Sequence, residues 1–160
     1  VVAPQAMVDK IKAMADARRS ENMLISARTD SPASEPLAQT LERVALYKEA
    51  GADLLFAEGL PGPDAVSAVV EAAGGVPVVY NLLATGKEIA TATQLEALGV
   101  SLALFPGRAI LSYASAVQAA LQALKADPRL PEAGHPIQPK DFNAVLGTPD
   151  LLAHYADVVG

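Results

Sequence analysis

The sequence predicts an α/β fold: the C-terminal half of a (β/α)8 barrel, four parallel βα units followed by C-terminal helices. Three observations predict it. Short apolar runs alternate with stretches of helical period. The runs recur at regular intervals, beginning near residues 23, 53, 77 and 101. None of them is followed by the G-x-G-x-x-G turn of a dinucleotide fold. Continuous apolar strands that alternate with helices imply a parallel sheet covered by helices. Crossover handedness then leaves two common outcomes, an open doubly wound sheet or a closed barrel. Without the glycine fingerprint the open sheet loses its best support. Four beats are half a barrel, which leaves two sheet edges and half of a central core uncovered. The other four beats are therefore expected upstream, and a start on Val1 rather than Met fits a longer protein that has been cut or processed.

Each element has its own signal. Ala6–Arg18 carries Met7, Ile11 and Met14 at helical spacing. "MLISA", Met23–Ala27, reads as the first strand. Leu37–Ala50 is helical, with Leu41, Val44 and Ala45 on one face and Gly51 as its stop. "DLLFAEG", Asp53–Gly59, reads as the second strand. A "PGPD" turn then leads into a helix over Ala65–Ala73. "VPVVYN", Val76–Asn81, is the third strand, and Thr93–Leu98 a short helix stopped at Gly99. "SLALFP", Ser101–Pro106, is the fourth strand, and Ala109–Lys125 a long Ala-rich helix. Residues 1–126 thus form the four βα units. Residues 127–160 form a Pro-rich linker, with four prolines in Asp127–Pro139, and two short helical pieces, the second capped by Thr148 before Pro149.

Composition narrows the function. Of the 160 residues 51% are apolar and 19% charged, which suits a globular chain rather than a disordered one. A net charge of −6 opposes non-specific binding to nucleic acid, and no basic cluster offsets it. There is no cysteine, hence no disulfide, thiol nucleophile or Cys-ligated metal in this stretch. The apolar runs are too short and interrupted to span a membrane, and the start shows no signal-peptide pattern.

The strand ends carry the chemistry. They bear Arg28 with Asp30, then Glu58, then Asn81, then Pro106 leading to Arg108. In a parallel barrel such ends share one rim, where barrel enzymes place their active sites. Arg28 can grip a carboxylate with two prongs. Glu58 can take a proton or hold a metal-bound water, and Asn81 can both donate and accept. Together they suit a small oxygen-rich anion with a divalent cation. The plainer readings stand beside this one: Arg28–Asp30 as a rim salt bridge, Glu58 as a solvated carboxylate, Asn81 as a turn residue. His135, in a loop, and His154, on a terminal helix, read as structural.

In order and spacing, "ISARTD", "LERVALYKEAGADLLFAEG", "VPVVYN" and "LEALGVSLALFP" resemble the isocitrate lyase/phosphoenolpyruvate mutase superfamily, over about residues 5–125. The closer likeness is to its short bacterial members: methylisocitrate lyase, oxaloacetate decarboxylase and phosphonomutase-like proteins. The resemblance implies a (β/α)8 barrel that cleaves or forms C–C or P–C bonds beside a 2-oxo acid, through an enolate-like species with Mg2+ or Mn2+. It implies that Arg28 binds a substrate carboxylate or phosphonate, that Asn81 binds a substrate carboxylate, and that Glu58 lies by the metal through water. The remaining metal ligands and the mobile catalytic loop are expected before Val1. It also implies a cytoplasmic homo-oligomer, the family form being a tetramer with exchanged C-terminal helices. Its partner is a small carboxylate or phosphonate substrate, with no nucleic acid and no membrane.

One departure bears on function. Where lyases of this superfamily carry Thr-Glu after the strand-end Asn, this chain has "NLLATGKE", with Leu83 and Ala84 in those places. That weighs against methylisocitrate or isocitrate as substrate. It leaves open a second reading, a degenerate member that binds a small anion or serves in assembly.

Overall fold

A computed structural model describes residues 1–82, 91–127, 129 and 137–159. Residues 83–90, with Leu83 and Ala84 among them, and His135 lie outside the described residues. The element order is α1 (Pro4–Ala17), β1 (Ser26–Thr29), a 3-10 turn (Ser31–Ala33), α2 (Leu37–Glu49), β2 (Leu54–Ala57), α3 (Pro63–Ala73), β3 (Val78–Asn81), α4 (Ala92–Ala97), β4 (Leu102–Leu104), α5 (Arg108–Ala126), α6 (Pro139–Val145) and α7 (Thr148–Val159). The chain forms two compact units, residues 1–108 and 109–160, so the division falls at the head of α5.

In the first unit the strands lie in sequence order, β1-β2-β3-β4, every neighbouring pair parallel. Sequential parallel strands joined by helices are the geometry of a barrel arc rather than of a sheet that reverses its winding order. Register sorts the side chains into two faces. Ala27, Leu55, Val78 and Tyr80 are buried against the helices, with Ile11 of α1, Val44 and Tyr47 of α2, and Val66 and Val69 of α3. Ile11, Leu55 and Val66 retain no solvent-accessible surface. Burial on this scale contributes roughly 1.5–3 kcal/mol for each large aliphatic side chain. The opposite face carries Ser26, Arg28, Leu54, Phe56, Val79, Leu102 and Leu104, and Leu102 and Leu104 are exposed there. This is the side that lines the centre of a barrel.

Two glycines are required where they stand. Gly51 follows α2 at φ +101°, and Gly99 follows α4 at φ +85°, a region that disfavours any side chain. At Gly99 an added Cβ would also come within 2.9 Å of the Val70 side chain.

The first strand begins later than the sequence predicts. Met23 and Leu24 are 64% and 60% exposed, and Met23 N–H closes a turn onto Ser20 O at 3.1 Å. Asp53 sets the start. Its carboxylate accepts from Ile25 N–H at 2.8 Å and from Arg18 Nη1 at 2.7 Å, so regular pairing with β2 begins at Ser26. An apolar run reports hydrophobicity. The strand is fixed by where backbone partners exist.

In the second unit no residue of α5 is buried, and Ile110, Leu111, Tyr113 and Leu121 are exposed. Phe142 of α6 and Leu151, Leu152 and Tyr155 of α7 are exposed as well. Among the described residues no helix is long and apolar enough to cross a membrane.

Candidate active site

The C-terminal ends of β1, β2 and β3 bring together the three residues singled out in the sequence. Arg28 lies inside β1 rather than just past it, in register with Phe56. Strand alternation sends buried Ala27 and Thr29 to the helices and the longer, polar Arg28 to the open face. Its guanidinium sits 5.0 Å from the centre of the Phe56 ring, within cation–π range. Asp30 then takes one edge of it: Nη2 donates to Oδ1 at 2.7 Å and Nε to Oδ2 at 3.1 Å. The rim salt bridge is therefore real, and Nη1 makes no hydrogen bond to the described residues.

Glu58 links the other two. Its backbone N–H donates to Thr29 O at 2.9 Å, extending the ladder one step beyond β2. Its Oε2 accepts from Asn81 Nδ2 at 2.7 Å and stands 3.4 Å from Arg28 Nη2. The Glu58 side chain is 16% exposed against 48% for Arg28, so the carboxylate is the sheltered member and the guanidinium the accessible one. Asn81 Oδ1 is enclosed and accepts no hydrogen bond among the described residues. A carboxylate only accepts, so the Asn81 amide must turn its NH2 towards Glu58, which leaves its oxygen in want of a donor.

The electrostatics are coupled. The Asp30 hydrogen bonds are the main cause that holds the Arg28 guanidinium above its ordinary range, with Glu58 adding to the effect. The same hydrogen bonds hold the Asp30 carboxyl below the usual carboxylate range. Behind the rim, burial raises the Tyr80 phenol, and the Glu58 charge raises it further. Two carboxylates face one guanidinium, so the cluster carries a net single negative charge. A small dianion is repelled by that charge unless a cation joins it.

Among the described residues no cluster of three or more His, Asp or Glu could hold a metal ion. Glu58 Oε1 makes no hydrogen bond to the described residues, so it can receive one from a cation's water. The residues present fit that supporting role and not a complete ligand set. Phe56 was not foreseen, although its position two residues before Glu58 puts both on one strand face. The Asn81–Glu58 bond depends on inter-strand register, which has no local signal in the sequence. His154, on α7, is exposed.

Comparison with known proteins agrees with this architecture. The family model for phosphoenolpyruvate phosphomutase matches residues 1–125. The chain is 34% identical over 128 residues to the 2,3-dimethylmalate lyase of Eubacterium barkeri, covering 79% of this chain and 44% of that protein. It is 37% identical over 130 residues to the 2-methylisocitrate lyase of Shewanella oneidensis, covering 79% and 42%. The crystal structure of 2,3-dimethylmalate lyase, a PEP mutase/isocitrate lyase superfamily member, superposes with a TM-score of 0.87 at 24% identity, over 99% of this chain and 56% of that one. The chain thus spans less than half the length of these curated relatives. Its sheet is half of a (β/α)8 barrel. By its sequence, over residues 1–125, the chain belongs to the phosphoenolpyruvate phosphomutase family.

Proposed function

We propose that this chain supplies the substrate-anchoring half of the rim in an enzyme that cleaves or forms a C–C or P–C bond beside a 2-oxo acid. The carrying observation is the convergence of Arg28 and Asn81 on one carboxylate oxygen of Glu58 at the sheet's C-terminal end. Arg28, braced by Asp30 and Phe56, offers Nη1 to a substrate carboxylate or phosphonate. Glu58 holds the Asn81 amide in place and offers its second oxygen to a cation's water. Asn81, so oriented, keeps the second hydrogen of its Nδ2 for the substrate's other polar end. A bound Mg2+ or Mn2+ would supply positive charge to an enolate-like oxygen as that charge develops. The net negative charge of the cluster supports the need for such a cation. The named relatives are lyases of 2,3-dimethylmalate and 2-methylisocitrate.

In this reading residues 1–126 are the four βα units, and residues 127–160 are a linker with helices for self-association. The whole works as a cytoplasmic homo-oligomer. The exposed apolar side chains of α5, α6 and α7 support that assembly role.

The test is turnover by the chain joined to a metal-bearing N-terminal half-barrel. Assays use 2,3-dimethylmalate, 2-methylisocitrate, oxaloacetate and phosphonopyruvate, with Mg2+ and then with EDTA. Metal-dependent cleavage of one of them is expected. Loss of turnover on all four, with oxalate still bound, would establish the anion-binding or assembly reading instead.

A further inference from the structure

Arg43 is a buried cation that the rim chemistry does not use. It lies on α2 with its side chain 6% exposed. Its Nε donates to Glu35 Oε2 at 2.7 Å and its Nη2 to Glu35 Oε1 at 2.6 Å, a two-pronged pair. Nη1 donates to Val2 O at 2.9 Å and to the Tyr47 hydroxyl at 3.3 Å. A buried guanidinium needs such partners, and losing one leaves a stranded charge. The notable point is where Glu35 sits. It ends the short segment that starts at Asp30, the residue gripping Arg28. That segment is folded on itself, with Ala33 N–H donating to Asp30 O at 3.2 Å and Glu35 N–H to Ser31 O at 2.7 Å. It is tied to α2 a second time by the buried Ser31–Thr40 hydroxyl pair at 2.8 Å. Thr40 and Arg43 are three residues apart and share one face of α2.

We propose that the Glu35–Arg43 pair is a positioning device for the anion anchor: it pins the segment 30–35 to α2, and so keeps Asp30 on the Nε/Nη2 edge of Arg28 with Nη1 turned to the ligand. Glu35 and Arg43 touch no reacting atom; they act through Asp30. The functional value of the device rests on the reading of Arg28 as anchor, but its geometry does not.

The experiment needs no substrate. In the intact chain, NMR follows solvent exchange of the Arg28 Nε–H and titration of the Asp30 carboxyl. The variants are Glu35→Gln and Arg43→Lys, with Asp30→Asn as the direct control. Glu35→Gln keeps the shape and removes the charge. It should speed Arg28 Nε–H exchange about ten-fold or more, the scale of one lost charge-assisted hydrogen bond. It should also move the Asp30 titration up towards the ordinary carboxylate range. Arg43→Lys, which keeps a cation but loses the fork, should fall between Glu35→Gln and the unaltered chain. Asp30→Asn should loosen Arg28 while leaving the Glu35–Arg43 pair intact. If Glu35→Gln and Arg43→Lys lower the urea midpoint but the folded chain keeps the original Asp30 titration and Arg28 exchange, the pair is only a structural clamp and the proposal fails. Failure of the enzymatic reading would appear elsewhere, in turnover that ignores Arg28, with these NMR readouts unchanged.

Discussion

Arg28 meets three partners within one side-chain length: a carboxylate fork at Asp30, a second carboxylate at Glu58 and an aromatic face at Phe56. Lysine can replace its charge but not its planarity. In the assembled enzyme Arg28→Lys should lower kcat/KM by about 30-fold or more, since losing a charge-assisted contact to a substrate anion costs on the order of 2–5 kcal/mol. The urea midpoint should barely move, because the side chain is 48% exposed. Intact turnover, or an unfolded variant, would make Arg28 a structural charge. Phe56→Leu keeps most of the apolar volume and removes the ring. It should weaken oxalate binding by a few-fold, in line with roughly 0.5–1 kcal/mol for an accessible cation–π contact. Acid should act through Asp30 and Glu35, whose carboxyls are held below their ordinary range by Arg28 and Arg43. Their stabilising effect is fully present above about pH 4, the unfolded carboxylate value, and fades as pH falls through the lowered native values. Urea midpoints measured against pH should drop in that acid window. Arg43→Gln should flatten the share that belongs to Glu35.

At the scale of elements, helices and strands were legible to different degrees. α2 and α3 stand within two residues of where period and glycine stops put them. β1 does not, because "MLISA" marks apolarity while Asp53 decides where pairing starts. The same reason hid the site's wiring. That Arg28, Glu58 and Asn81 sit at strand ends could be read from position, but that Glu58 bridges the other two follows only from register. One local signal is plain in the sequence: Thr91 and Gln94 form a capping box at the head of α4, with Gln94 N–H donating to Thr91 Oγ1 at 3.2 Å. Thr91→Ala should cost about 1 kcal/mol in urea unfolding. Leu55→Ala, in the centre of β2 with no exposed surface, should cost about 2–5 kcal/mol. A cost near zero at Leu55 would mean that the helix-facing side of the sheet is not the core.

At the scale of the molecule, the described residues bring Arg28, Glu58 and Asn81 together and hold no cluster of three or more side chains that could bind a metal ion. The chain by itself should be silent towards 2-oxo acids with Mg2+ present, and measurable turnover by it alone would relocate the metal site. Arg28 also stands at an edge: β1 is the first strand in the sheet order, and among the described residues it pairs only with β2. The free side is where a further strand can add, and a strand added there would immobilise the backbone that carries the guanidinium. With Arg28 as the proposed anchor, closure of the sheet and binding of the anion would be thermodynamically linked. Whatever factor closure adds to the anion's affinity, the anion must return to the affinity of the closing strand.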